Sequence, residues 1–273
     1  MDKTKLLQSY LSNMQVDVSE AHYTKVNVNW KAPEFTPSIN RFYYIVEGEG
    51  RLTIDGEAFH PKPGQLFLMP AGVKQSYSTI SDNTFAKHWC HFAATIGDMP
   101  LFQIIKIPSF IEVRDPELVT ALFLKLAQEF RNPGIAGMLR TRATMLELLS
   151  YFLEHTVIEN IRLAATDSVA KLTAVLRHID SHLGEAVSVE ELAKLAHLHP
   201  NYFIKFFKTH LGDSPIQYIN KRKLDHAKTL LHTTNLSIKE IAEATGMELH
   251  YFSRLFKQTA GMSPTVYRML REG

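Results

Sequence analysis

Residues 188–219 and 237–268 repeat one another across a shift of 49 residues, without a gap. Ser188, Glu191, Ala193, Tyr202, Phe203, Phe207, Lys208, Gly212, Ser214, Pro215 and Tyr218 return as Ser237, Glu240, Ala242, Tyr251, Phe252, Phe256, Lys257, Gly261, Ser263, Pro264 and Tyr267. Leu192 and Lys205 return conservatively as Ile241 and Arg254. A fixed period with preserved chemistry marks a duplicated supersecondary unit, so one fold must satisfy both copies.

Each copy reads as helix–turn–helix. Ser237 and Glu240 have the S-x-x-E spacing of a capping box at a helix start. Ile241, Ala242 and Ala244 supply a short apolar stripe, and Gly246 permits a tight turn. A second helix places Tyr251, Phe252, Leu255 and Phe256 on its apolar side, which leaves His250, Ser253, Arg254 and Lys257 outward. The first copy offers Asn201, Ile204, Lys205 and Lys208 at the equivalent positions. Basic and hydrogen-bonding groups on the exposed side of a second helix are what major-groove reading needs. The alternative, two small packed helical pairs with solvated basic faces, does not explain why both copies keep the same outward positions.

The segment resembles the DNA-binding domain of the AraC/XylS family of bacterial transcription regulators over about its last hundred residues. The carrying residues run from Tyr218-Ile219 through Leu224, Ala227, Leu230 and Leu231. They continue through Ile238, Ile241-Ala242, Gly246, Tyr251–Lys257, Gly261, Ser263-Pro264 and Tyr267-Arg268. Two positions depart from the family pattern: Met247 replaces the usual Phe after the turn glycine, and Lys223 replaces an Arg. The resemblance implies two recognition helices reading promoter DNA, with Lys205 and Arg254 at bases, Asn201, Ile204, His250 and Ser253 beside them, and Lys208 and Lys257 on phosphates.

A chain of 273 residues has room for two domains. Its net charge of +2 is unevenly shared, at −2 for residues 1–167 and +4 for residues 168–273 by formal count. The basic half is the one expected to meet phosphate. The N-terminus lacks the apolar core of a signal peptide, and no run of about 18 apolar residues could span a bilayer. The single cysteine, Cys90, excludes an intrachain disulfide and fits a reducing compartment, so a cytoplasmic protein is expected.

Residues 1–36 read as a polar arm. From Arg41 the apolar period becomes two: Arg41–Val46, Arg51–Ile54, Ala58–His60, Gln65–Met69, Ser76–Ile80 and Phe85–Ala94 read as short strands separated by Gly and Pro turns. That spacing predicts an antiparallel β-barrel or jelly roll. Gly48-Glu49-Gly50, Pro63–Leu66, Pro70–Gly72 and Trp89–Phe92 resemble the cupin-type sensory domain often joined to this DNA-binding domain. No H-x-H pair of metal-dependent cupins occurs within these strands. In a strand His91 faces away from His88 and Cys90, which argues against a metal site there. No cofactor and no enzymatic activity are expected. A cupin-type catalyst carrying a DNA-binding tail, or an architectural protein without an effector, are the competing classes.

By likeness to sugar-responsive members, Tyr77 and Trp89 fall at pocket positions, with Arg41 and Glu47 also expected to bind ligand. Glu47 stands where the arabinose-binding member carries an arginine, so the same sugar is not implied. Tyr77 and Trp89 equally suit a barrel core.

Asp115-Pro116 starts a helix with Leu118, Leu122, Leu126 and Phe130. A second helix follows through Met138, Met145, Leu149, Phe152 and Leu153. The pair resembles the family's dimerisation helices, with Leu146, Leu148 and Tyr151 as surplus apolar positions; covering the barrel is the alternative. Asn160–Ser168 reads as a linker, Val169–Leu183 as an entry helix, and Ile216–His232 as the helix joining the two reading heads. On that helix Lys221, Arg222 and Lys223 suit either phosphate contact or plain solvation.

The resulting expectation is an α+β protein. Residues 1–160 form a cupin-like effector-binding and dimerisation domain with a helix pair. Residues 168–273 form an all-α DNA-binding domain. Its expected partners are double-stranded promoter DNA, a sugar-like effector, RNA polymerase and a second copy of itself, with no membrane, and its expected action is transcription activation.

Overall fold

Alternating burial along the chain between Met14 and Glu112 builds two antiparallel sheets. The computed structural model describes residues 3–132, 134–157, 161–163 and 166–269. In chain order the strands are β1 (Met14–Lys25), β2 (Lys31–Phe35), β3 (Asn40–Glu47), β4 (Arg51–Ile54), β5 (Glu57–Phe59), β6 (Gln65–Met69), β7 (Gln75–Ser78), β8 (Ala86–Ile96) and β9 (Met99–Pro100). They continue as β10 (Ile105–Lys106), β11 (Phe110–Glu112) and β12 (Arg162–Leu163). One sheet runs β1-β8-β3-β6-β11 with β9 beside β8, the other runs β2-β7-β4-β5, and β10 and β12 form a separate two-stranded pair. The two sheets do not close into the expected barrel. Strands of three to five residues in the second sheet end before they can continue the ladders of the longer strands β1 and β8.

The alternation of β8 sorts its side chains cleanly. Lys87, Trp89 and His91 share one face with Arg41, Tyr43 and Ile45 of β3, their antiparallel partners. That face meets the second sheet across a core of Tyr43, Ile45, Leu52, Ile54, Phe67, Met69 and Phe85, with Trp30, Tyr77 and Trp89 packed against it. His88, Cys90 and Phe92 point the other way, as the alternation required.

Residues 14–35, expected to belong to a polar arm, instead form β1 and β2. The register of β1 shifts between Val18 and Glu20, and this bulge breaks the period that would have revealed the strand. Residues 3–11 form α1 (Lys3–Leu11), which packs on the helical part of the chain through buried Leu7 and Tyr10. The chain accordingly divides into a unit of residues 14–164 and a unit made of residues 1–13 and 165–273.

After a one-turn helix, α2 (Leu101–Ile104), the first unit ends in α3 (Pro116–Arg131) and α4 (Gly137–Glu154). Asp115 caps α3 by accepting from the Leu118 N–H at 2.9 Å. Val119, Leu122, Phe123 and Leu126 of α3 and Met145, Leu149 and Phe152 of α4 are buried. They cover the Phe42–Tyr44–Cys90 face, with Phe152 5.3 Å from Phe42 and Phe123 6.2 Å from Tyr44, ring to ring. Leu148 and Tyr151, expected as surplus, are buried here. The Tyr151 hydroxyl accepts the Arg114 and Asp115 N–H groups. Leu146 stays exposed with Leu118, Leu124, Met138 and Leu139. Of the expected linker Asn160–Ser168, positions 160, 164 and 165 lie outside the described residues.

The second unit continues with α5 (Asp167–Ser181), α6 (Val189–Leu195), α7 (Pro200–Leu211), α8 (Pro215–Thr233), α9 (Ile238–Ala244), α10 (Leu249–Ala260) and α11 (Pro264–Met269). The capping box holds: the Ser237 N–H donates to Glu240 Oε2 at 2.6 Å and the Glu240 N–H to Ser237 Oγ at 3.1 Å. Ser214 and Gln217 form a second one at the start of α8. In the first copy Ser188 caps in the same way, but the Glu191 carboxylate turns to His178 of α5, 2.8 Å away. Leu224, Ala227 and Leu231 of α8 join Ile241, Ala242, Met247, Phe252 and Phe256 in one core. Met247 therefore fills an apolar place in this core.

Candidate nucleic-acid interface and ligand cavity

In both copies the second helix buries Phe at the same two places. Phe203 and Phe207 of α7 and Phe252 and Phe256 of α10 are all inaccessible to solvent. Helical geometry then turns the residues between them outward. Asn201, Ile204, Lys205 and Lys208 are exposed on α7, as are His250, Arg254 and Lys257 on α10, with Ser253 half-buried beside them. Among the described residues Lys205, Lys208, Arg254 and Lys257 form no ion pair. Tyr251, expected on the apolar side, is partly exposed, and its hydroxyl accepts from Asn220 of α8 at 3.0 Å. The Arg254 guanidinium lies 5.8 Å from the Tyr251 ring centre, which restrains it near the outward face. Glu248 caps α10 through the His250 and Tyr251 N–H groups, and these bonds hold its carboxyl below the usual range.

The basic residues of α8 divide by role. Arg222 donates twice to Asp180 Oδ1 of α5, at 3.0 and 2.8 Å. Lys223 is buried, and its Nζ donates to the carbonyls of Glu185 and Gly246 at 2.7 and 3.2 Å. Both residues hold elements of the helical unit together, which answers for them the question of phosphate contact or solvation; Lys221 remains exposed.

In the sheet unit a cavity of about 280 Å³ opens between the sheets, lined by Thr24, Lys25, Val26, Asn27, Trp30, Tyr43, Tyr77, Lys87, Trp89 and His91. Tyr77 stacks on Trp30 at 4.2 Å and 16°, and the Trp89 indole N–H donates to Thr24 Oγ1 at 3.0 Å. Arg41 stands behind His91, donating from Nε to His91 Nε2 at 3.2 Å and from Nη1 to Gln75 Oε1 at 3.0 Å. Burial, then the Arg41, Lys87 and His22 charges, bring the His91 pKa down to about 4. His91 is therefore neutral near pH 7, with Nε2 accepting and Nδ1–H facing Glu20 Oε2 at 3.4 Å. Glu47, also expected to bind ligand, lies off this cavity, exposed and paired with Lys25 at 3.4 Å.

Sequence reasoning passed over Trp30, Thr24 and Lys87. Lys87 sits two residues before Trp89 on the same strand face, a signal that β8 alternation offered. Its amine lies 3.2 Å from the Tyr43 ring centre and 4.0 Å from that of Trp30.

On the opposite face Cys90 is fully buried, which pushes its thiol up, and its Sγ lies 3.9 Å from Met145 Sδ. Among the described residues no group of three or more His, Cys, Asp or Glu could hold a metal ion. No helix among them is long and apolar enough to cross a membrane.

Comparison with known proteins agrees with this division. Residues 19–149 match the AraC-like ligand binding domain family, and residues 192–269 match a helix-turn-helix domain family. An HTH-type transcriptional regulator, YobQ, of Bacillus subtilis is 38% identical over 201 residues, covering 72% of this chain and 71% of that protein. The lactose operon transcription activator of Staphylococcus xylosus is 22% identical over 245 residues, covering 85% and 82%. The raffinose operon regulatory protein RafR of Pediococcus pentosaceus is 27% identical over 203 residues, covering 71% and 72%. Among solved structures, the C-terminal domain of AraT from Geobacillus stearothermophilus is 34% identical, covering 37% of this chain and 85% of that one with a TM-score of 0.36. These relatives are transcription regulators rather than enzymes. With a ligand-binding sheet unit ahead of a duplicated helix–turn–helix unit, the chain belongs to the AraC family of transcription regulators.

Proposed function

We propose that this regulator activates transcription of a carbohydrate-related operon, reading promoter DNA with α7 and α10 and responding to a small molecule bound in the sheet cavity. The observation that carries the DNA-reading part is the outward row repeated on both helices, Asn201, Ile204, Lys205 and Lys208 against His250, Ser253, Arg254 and Lys257. Two recognition helices on one DNA face enter successive major grooves about 34 Å apart. Lys205 and Arg254 occupy the base-reading position of each copy, and a bidentate contact to guanine contributes about 1–3 kcal/mol of discrimination.

Sugar-operon roles in the names of two relatives support a carbohydrate-related effector, and one of them supports activation. The aromatic lining of the cavity suits the C–H face of a sugar ring. Exposed Leu118, Leu124, Met138, Leu139 and Leu146 on α3 and α4 support a homodimer through these helices, which would present two DNA-binding units to one promoter and to RNA polymerase. Selection of binding sites from a random DNA pool tests the reading. Arg254→Ala is expected to relax preference at one part of the selected site and Lys205→Ala at another. An unchanged site profile for both variants would remove these helices from the readout.

A further inference from the structure

We propose that the sheet cavity takes an acidic small molecule, a monosaccharide-sized carboxylate or phosphate, with its oxyanion held by Lys87 and with Arg41 and His91 behind. The inference rests on the cavity being the effector site, as proposed above.

Lys87 is only 3% exposed, and a buried ammonium is costly unless an anion accompanies it. No carboxylate accompanies this one among the described residues. Its amine instead rests against the rings of Tyr43 and Trp30, contacts that offset part of the desolvation. Glu47 pairs with Lys25, and Glu20 lies against the neutral His91 at 3.4 Å, so neither forms an ion pair with Lys87. Arg41 is in the same condition: its hydrogen-bond partners His91 and Gln75 are neutral acceptors. Lys87 in the cavity wall and Arg41 behind His91 thus have no ion pair among the described residues, and a low-dielectric wall focuses their field on whatever enters. Methionine or leucine would fill the Lys87 position without this cost.

The rest of the lining describes the body of the ligand. Trp30, Trp89 and Tyr77 offer flat apolar faces, while Thr24 and Asn27 offer short polar groups. About 280 Å³ suits a molecule of monosaccharide size. A neutral sugar would satisfy the aromatic and hydroxyl positions and leave Lys87 unpaired.

The titratable groups that line the cavity with Lys87 are Lys25 of β1, Tyr43 of β3, Tyr77 of β7 and His91 of β8, with His22 against Trp89 and with Glu20 and Arg41 against His91. Burial, and then Arg41, hold the Lys87 amine well below the ordinary lysine range. An incoming oxyanion opposes both effects and favours the charged amine.

Calorimetric titration of the full-length protein tests this with D-glucuronate, D-galacturonate, D-gluconate and glucose 6-phosphate against D-glucose and D-galactose at matched ionic strength. The expected result is that at least one acid binds about tenfold or more tighter than its neutral counterpart, about 1.4 kcal/mol. The carboxylate and phosphate arms distinguish the two oxyanions. Lys87→Met should abolish the preference without lowering the melting temperature of the ligand-free protein. Equal binding of neutral and acidic sugars, or a preference that survives Lys87→Met, would overturn the acidic ligand while leaving the effector cavity in place. A Lys87→Met protein that melts lower without ligand would make Lys87 a packing residue and overturn the proposal. Silence from all six compounds would overturn this inference and the sugar-sized effector site together.

Discussion

Gly246 has φ at +60°, and a Cβ placed there would lie 2.6 Å from the Gly184 carbonyl oxygen. Backbone, not a movable side chain, occupies the space, so Gly246→Ala must shift the turn between α9 and α10 as well as strain it. We expect a loss of about 1–3 kcal/mol in the helical unit, read by far-UV circular dichroism melting. A second residue-scale prediction concerns His91. Its pKa falls from 6.5 in the unfolded chain to about 4 in the fold. Its contribution is therefore fully present above pH about 6.5 and is lost as pH falls toward 4, because the unfolded chain binds the extra proton. His91→Gln, which can still accept from Arg41, should flatten the fall in melting temperature across that window. An equal slope in both proteins would assign the acid sensitivity to other groups. The turn glycine was legible in the sequence as a breaker between two helical patterns. The approach of Gly184 was not, since those residues are far apart along the chain.

At the scale of elements, α10 combines a buried face with the face proposed to read DNA. Phe252 and Phe256 are fully buried, so Phe256→Ala should cost about 3–5 kcal/mol through the cavity it leaves. DNA binding by the second copy should weaken with it. Lys208→Ala and Lys257→Ala leave the core untouched. Each should lower the slope of log affinity against log salt by about 1 while weakening all sequences alike. A slope unchanged in both, measured by titration at several salt concentrations, would take them off the phosphates. Elements with strong local signals, such as the Ser237–Glu240 cap, the Asp115-Pro116 helix start and the Gly-punctuated strands, were readable in advance. β1 and β2 were missed because bulges at Val18/Glu20 and Ala32/Phe35 interrupt the two-residue period. Lys223 was ambiguous for a different reason: its partners are main-chain carbonyls, which no side-chain pattern announces.

For the whole molecule, exposed leucines on α3 and α4 mark the proposed contact with a second copy. A stable interface buries about 1,200–2,000 Å², so two charges placed in it should break it. Leu139→Glu together with Leu146→Glu is expected to convert a dimer to a monomer in sedimentation experiments without unfolding the protein. A wild-type chain that sediments as a monomer at micromolar concentration would end the proposal. The sequence by itself determined the duplicated helix–turn–helix unit, the order of sheet and helical domains and the outward row on the second helix of each copy. All of these follow from spacing within a few helical turns or from direct repetition. Only the tertiary structure decided that the strands form two separate sheets, that α1 joins the helical unit and that Glu47 lies off the cavity. It alone brought Lys87 between Tyr43 and Trp30 and near Arg41. Those outcomes depend on pairing between residues dozens of positions apart, where register and burial select partners that local periodicity does not encode.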